Sequence, residues 1–278
     1  MMDKRFLVVG LVIVSLCANV FAFAFVGPPT AELKKGQWSV GFDYSYSKQG
    51  LEKTTLEGTY FSIDAGVPQS TSTKLKFKDL KTQRYYGTIG YGIDDWWELN
   101  VSLGIADVKE TYKQVGTKVY EWTGINLDND FAWGWGTKVT FARQDKIDWG
   151  VAFQMNWLDT SMSYDTLKSA TELYHRTPSL STYDLLVAVG PTVDMGGWKL
   201  YGGPFYYYLN GDLDSKVIGY DEDGFDFIDK ESGDLRAKDN FGGFIGAQVD
   251  LTNGIAWTAE VSAQQNGWGF STGIAWKF

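Results

Sequence analysis

Trp97-Glu98-Leu99-Asn100-Val101-Ser102-Leu103-Gly104-Ile105-Ala106 is the stretch that decides the fold class. Every apolar residue in it holds an odd position, and every polar or small one an even position. That period of two belongs to a strand with unlike faces. The pattern returns with Trp149, Val151, Phe153, Met155 and Trp157 against Asp148, Gly150, Ala152, Gln154 and Asn156. It returns again at the chain's end, where Trp268, Phe270, Thr272, Ile274, Trp276 and Phe278 oppose Gly269, Ser271, Gly273, Ala275 and Lys277.

The polar faces carry glycine, small residues and isolated charges. A sandwich face in bulk water would hold more Lys, Glu and Thr. The apolar faces concentrate tryptophan near strand ends, at Trp97, Trp133, Trp135, Trp149, Trp157, Trp268 and Trp276. Rings placed there form a girdle at a membrane interface. A soluble secreted sandwich or barrel is the weaker reading for that reason.

Turn chemistry adds order to these strands. Tight turns are expected at Asp94-Asp95, Gln144-Asp145-Lys146, Met195-Gly196-Gly197 and Thr252-Asn253-Gly254, all rich in the residues that hairpins want. Longer connections alternate with them at 49–80, 109–129, 161–181 and 210–238, with a short one at Gln265-Asn266-Gly267. The strands are expected to start near Trp38, Gln83, Trp97, Phe131, Ile147, Tyr183, Trp198, Asn240, Ile255 and Trp268, about ten in all. The fold class is therefore all-β: a closed, antiparallel, up-and-down transmembrane β-barrel with short turns at one rim and long loops at the other. Closure is a physical demand, because each unpaired backbone group facing lipid costs several kcal/mol.

Composition narrows the chemistry. The chain has 278 residues and a formal net charge of -9 at pH 7, the wrong sign for a nucleic-acid partner. A single cysteine, Cys17, and a single histidine, His175, exclude disulfides, clustered zinc sites and Cys/His catalytic pairs. No cofactor or metal is expected. Lys4 and Arg5 precede an apolar run from Phe6 to Leu16, and Ala22-Phe23-Ala24 follows, which is the plan of a signal peptide. Residues 1–24 are expected to be cleaved, leaving 25–278 as the barrel domain and removing Cys17. A lipoprotein reading through Cys17 is weaker, since Leu16 stands where a small residue is wanted.

The final strand, Gly273-Ile274-Ala275-Trp276-Lys277-Phe278, alternates and stops on an aromatic. Joined to the leader, the alternating segments and the loop asymmetry, it resembles Gram-negative outer-membrane β-barrel proteins as a broad class. The resemblance implies an outer-membrane location, periplasmic short turns and extracellular long loops. It also implies that Ile274, Trp276 and Phe278 form a C-terminal signal read by the barrel-assembly machinery. Outer-membrane lipid is the surrounding partner, and no extracellular ligand is identified.

Alternation points Asp43, Arg84, Glu98, Lys138, Gln154, Asn156, Glu260 and Lys277 inward, with Asp43, Lys138 and Glu260 at similar heights. Such charges either select solutes in a constriction or form a salt-bridged plug. A lumen of about ten strands is narrow enough for side chains to fill, which favours the plug. Arg84 and Tyr86 point inward near the mouth. Asp221, Glu222, Asp223, Asp226, Asp229, Glu231 and Asp234 form an acidic loop. It fails the calcium-loop spacing, because Ser232 occupies the twelfth position where Glu is required. His175 falls in a long loop near Asp165, Glu172 and Arg176, without a G-x-S-x-G or H-E-x-x-H motif. The strand from Trp198 to Leu209 has Tyr and Phe on both faces, so its inward side is unassigned. The expected role is non-enzymatic: structural, surface-contacting, or passing small solutes to a limited extent. The alternatives are a small porin-like channel and an outer-membrane hydrolase using His175.

Overall fold

A computed structural model describes residues 27–278, except 65, 115–122, 168–172, 222–223 and 253. The leader at 1–24 lies outside the described residues. The strands are β1 (Trp38–Gln49), β2 (Thr54–Ser62), β3 (Gln69–Asp94), β4 (Trp97–Gln114), β5 (Thr123–Gln144), β6 (Ile147–Ser161) and β7 (Tyr164–Leu167). They continue with β8 (Leu173–Asp194), β9 (Trp198–Asp221), β10 (Gly224–Arg236), β11 (Phe241–Asp250), β12 (Ile255–Gln264) and β13 (Gly267–Lys277).

Ten of these strands close into a ring. The antiparallel pairs run β1–β3–β4–β5–β6–β8–β9 and on through β11–β12–β13 back to β1. First and last strands meet over their whole length, from Ser39 opposite Lys277 to Gln49 opposite Gly267. Phe278 completes the seam by exchanging backbone bonds with Trp38, at 3.0 and 2.9 Å. Among the described residues, no ring strand therefore offers a bare edge to lipid.

The long connections expected as loops are corrected by the structure: most of their residues are strand. β3 starts at Gln69 and β8 at Leu173, while β4 runs to Gln114 and β9 to Asp221. Beyond the upper ends of β1, β11, β12 and β13, the inserted strands β2 and β10 link β3 to β9 through the pairs β3–β2, β2–β10 and β10–β9. An isolated bridge between Leu51 and Ala237 joins the two levels. The acidic stretch likewise lies largely on β10 rather than in a loop, although 222–223 fall outside the described residues.

One change of phase organises the whole molecule. Along β4, Leu99, Val101, Leu103 and Ile105 are exposed on the outside, yet just above them Ala106 and Val108 are buried inside. On β6 the outward Trp149 gives way to the buried Leu158. On β8 the outward Val189 lies below the buried, inward Leu180. At membrane level the outer face is apolar and most of the inner face polar. Above it, Leu56, Leu75, Val108, Leu180, Leu213 and Leu235 fill the interior while Asp212, Asp214 and Asp234 face water. Each level buries its apolar side from water, against lipid below and against itself above.

Candidate functional site

The candidate site is the lumen. Residues 27–37, leading into β1, cross its turn-bearing end instead of leaving it. Pro28, Pro29 and Thr30 are fully buried there. The segment is fixed by its backbone: the N–H groups of Glu32 and Leu33 donate to Glu98 Oε2 at 2.6 and 3.0 Å, and that of Ala31 to Thr140 Oγ1 at 2.9 Å. Thr30 meets Thr192 at 2.8 Å, hydroxyl to hydroxyl. Gly150 makes the approach possible, since a Cβ there would collide with the Pro29 carbonyl. At the rim, the Lys35 N–H donates to Asp95 Oδ1 at 2.9 Å.

Glu32 locks the segment in place. Its Oε2 receives Lys199 Nζ at 2.5 Å, Lys277 Nζ at 3.1 Å and Gln248 Nε2 at 2.9 Å, from three different strands. Burial pushes this carboxyl's pKa up, but Lys277, Lys199 and the hydrogen bonds outweigh it and hold it at about 2. A cavity of about 120 Å³ remains above, lined in part by Gly27, Asp43, Glu98, Lys138 and Lys277.

Asp43, Glu98, Lys138, Gln154 and Lys277 line this cavity, and Arg84, Asn156 and Glu260 are buried. Lys138 Nζ pairs with Glu98 Oε1 at 3.5 Å. Asp43 accepts a hydrogen bond from the Thr88 hydroxyl. Lys138 also lies within electrostatic range of Asp43 and Glu260. Glu260 is buried beside Tyr201. Lys277 pairs with Glu32 at 3.1 Å. Arg84 spans the lumen to Asp184, whose Oδ1 also accepts from Asn156 Nδ2 at 2.7 Å; Gln154 Nε2 donates on to Asn156 Oδ1 at 3.1 Å. On β9 the inward side is the odd one: Tyr201, Phe205, Tyr207 and Leu209 are buried, so aromatic rings share the lumen with charges.

Trp97, Trp133, Trp135, Trp149, Trp157, Trp268 and Trp276 lie on the outer face at two levels. Trp133 stacks on Trp157 at 4.3 Å, and Trp268 meets Tyr46 at 4.8 Å, at the upper level. Trp135 sits just below, against Phe153 at 5.1 Å. At the lower level Trp276 packs on Phe278 at 4.8 Å, Trp149 is exposed, and Trp97 Nε1 donates to Thr137 Oγ1 at 2.8 Å. Ile274 is exposed on the same outer face.

His175 stands on β8 in the extension, not in a loop. Its Nδ1 lies 2.8 Å from Asp165 Oδ1, and its Nε2 lies 2.9 Å from Ser163 Oγ. The expected inward set omits two residues important to the lumen. Asp184 carries a signal, since it alternates with Tyr183 and Leu185. Glu32 carries none, because its segment is not a strand.

No protein-family model and no curated protein matches this chain. Among solved structures it is similar to the outer membrane protease OmpT from Escherichia coli, at 10 % identity over 92 % of this chain and 99 % of that one, with a TM-score of 0.41. It is similar to the outer membrane protein OprG from Pseudomonas aeruginosa, at 9 % identity over 88 % and 97 %, TM-score 0.41. It is similar also to the translocator domain of the autotransporter NalP from Neisseria meningitidis, at 12 % identity over 89 % of each chain, TM-score 0.41.

Proposed function

We propose that this chain is an integral outer-membrane barrel, matured by removal of residues 1–24, that is sealed to solutes and holds an extracellular β-extension for surface contact. The observation that carries this reading is the double stopper in one lumen. Residues 27–37 fill its lower end through Glu32, and the leucine core fills the extension above, with the Arg84–Asp184 pair between them. A ten-strand ring is narrow enough for side chains and a short segment to close it. The aromatic belts suit outer-membrane lipid, and the strand ending at Phe278 is the segment assigned to the barrel-assembly machinery. In this reading the membrane-spanning part carries out no chemistry.

Residues 25–278, refolded into a planar bilayer at neutral pH, test it. Protein whose insertion is verified by heat-dependent gel mobility is expected to pass no current. Discrete, reproducible steps would make it a small channel instead.

A further inference from the structure

The outer face of the extension carries a second constellation, remote from the lumen. Asp165 on β7 is directly opposite His175 on β8. Ser163 lies two residues before Asp165, between the pairs Ser161–Ser179 and Tyr164–Arg176, so it stands across from Thr177. The imidazole lies along the strand and touches both side chains of the neighbouring chain segment, Nε2 to Ser163 Oγ at 2.9 Å and Nδ1 to Asp165 Oδ1 at 2.8 Å. A hydroxyl, a ring whose far nitrogen can accept its proton, and a carboxylate that orients the near nitrogen are the parts of an activated serine nucleophile. All three are reachable from solvent.

The strands beside this group supply the rest. On β9, Ile218 is opposite His175, and the row continues through Ile228 on β10 to Phe61 on β2, all half-buried. These side chains share the outer face with Asp165 and His175, because the alternate residues Leu213 and Leu235 point into the core. The row one step along runs from Thr177 to Lys216 and Lys230, both lysines exposed. An apolar strip thus flanks the base, and on the nucleophile's row Lys216 stands two strands from Ser163, within a long side chain's reach.

We propose that Ser163, His175 and Asp165 form an acyl-transfer site for carboxylic esters with a short apolar acyl chain and an anionic group on the alcohol side. Ser163 Oγ bonds to the ester carbonyl carbon while its proton passes to His175 Nε2. The carbonyl–alkoxide bond breaks, and the alkoxide leaves with that proton as an alcohol. Water then attacks the acyl-serine, its proton passing through His175 back to Ser163 Oγ as the carboxylic acid departs. Asp165 is the positioning residue, Lys216 faces the developing oxyanion, and Ile218 supports the acyl chain.

Refolded 25–278 in detergent is treated with a fluorophosphonate probe, and the labelled site is mapped by mass spectrometry, with heat-dependent gel mobility confirming the fold of each variant. Labelling is expected at Ser163, absent in Ser163→Ala and slowed about 100-fold in His175→Ala. Asp165→Asn is expected to slow it about 10-fold, since an exposed carboxylate orients less firmly than a buried one. The alkaline-rising pH profile of labelling should vanish in His175→Ala, which a purely structural histidine would not cause. Folded protein that stays unlabelled, or labels equally without His175, overturns the proposal. Hydrolysis of p-nitrophenyl butyrate relative to acetate should fall in Ile218→Asp; an unchanged ratio overturns the assignment of the acyl strip.

Discussion

The guanidinium of Arg84 on β3 reaches across the lumen to the carboxylate of Asp184 on β8, although β4, β5 and β6 separate their strands around the ring. Both side chains are almost wholly buried, at 8 and 3 % exposed, and Asn156 and Gln154 extend the bridge along β6. A charge pair in such a place is costly to bury and more costly to break. It holds opposite walls of the barrel at a fixed distance.

Breaking the pair from one side leaves an uncompensated charge. Arg84→Met alone or Asp184→Leu alone is expected to destabilise the barrel by about 3–5 kcal/mol in urea titrations in lipid vesicles. The double variant should recover most of that loss, because neither charge is then stranded.

The outer face is expected to respond by height. Val101, 48 % exposed between the belts, meets lipid, and Val101→Arg should cost about 2–4 kcal/mol. Ser179, outward on β8 above the belts, meets water, and Ser179→Arg should lie within about 0.5 kcal/mol of wild type in the same titration.

Acid should loosen the lower stopper. Glu32 has its pKa lowered from 4.5 to about 2 in the folded barrel, so its contribution is complete above 4.5 and is lost as pH falls towards 2. Residues 27–37 are expected to become open to proteolysis as pH drops through that window, while the leucine core above keeps the lumen closed to current. In Glu32→Gln, Lys199 and Lys277 lose their shared anion, and the segment should be cut at neutral pH.

The upper stopper is a core of ordinary apolar packing. Leu213→Asp or Leu235→Asp buries a carboxylate without a cation and should unfold the extension locally. Limited proteolysis is expected to cut β2 and β10 in these variants while the ten-strand ring keeps its heat-dependent mobility.

The ring was legible because one alternation runs unbroken between the belts, as from Trp97 to Ile105. The extension was not, for a definable reason. At Ile105-Ala106-Asp107-Val108 the apolar residues move from odd to even positions, since the strand leaves lipid and must now turn its apolar side inward. Trp157-Leu158 on β6 makes the same switch. A reading that follows one phase sees each strand end there and a loop begin. Tyr201, Phe205 and Tyr207 hid the inward side of β9 because rings fill the lumen there, where polar groups were expected. The positioning of Ser163 by His175 was equally hidden, since it depends on the β7–β8 register and on no motif.

One continuous strand faces lipid below, water above, and a closed interior throughout. A spin-label scan of β8 tests it most directly, using single cysteines in residues 25–278, where none occurs naturally. Labels at 185, 187 and 189 should collide with oxygen, and labels at 177, 179 and 181 with a water-soluble nickel reagent. Labels at 180, 182, 186 and 188 should be shielded from both. Ready collision of the nickel reagent with 182 and 186 would mean a water-filled lumen, and would contradict the sealed barrel.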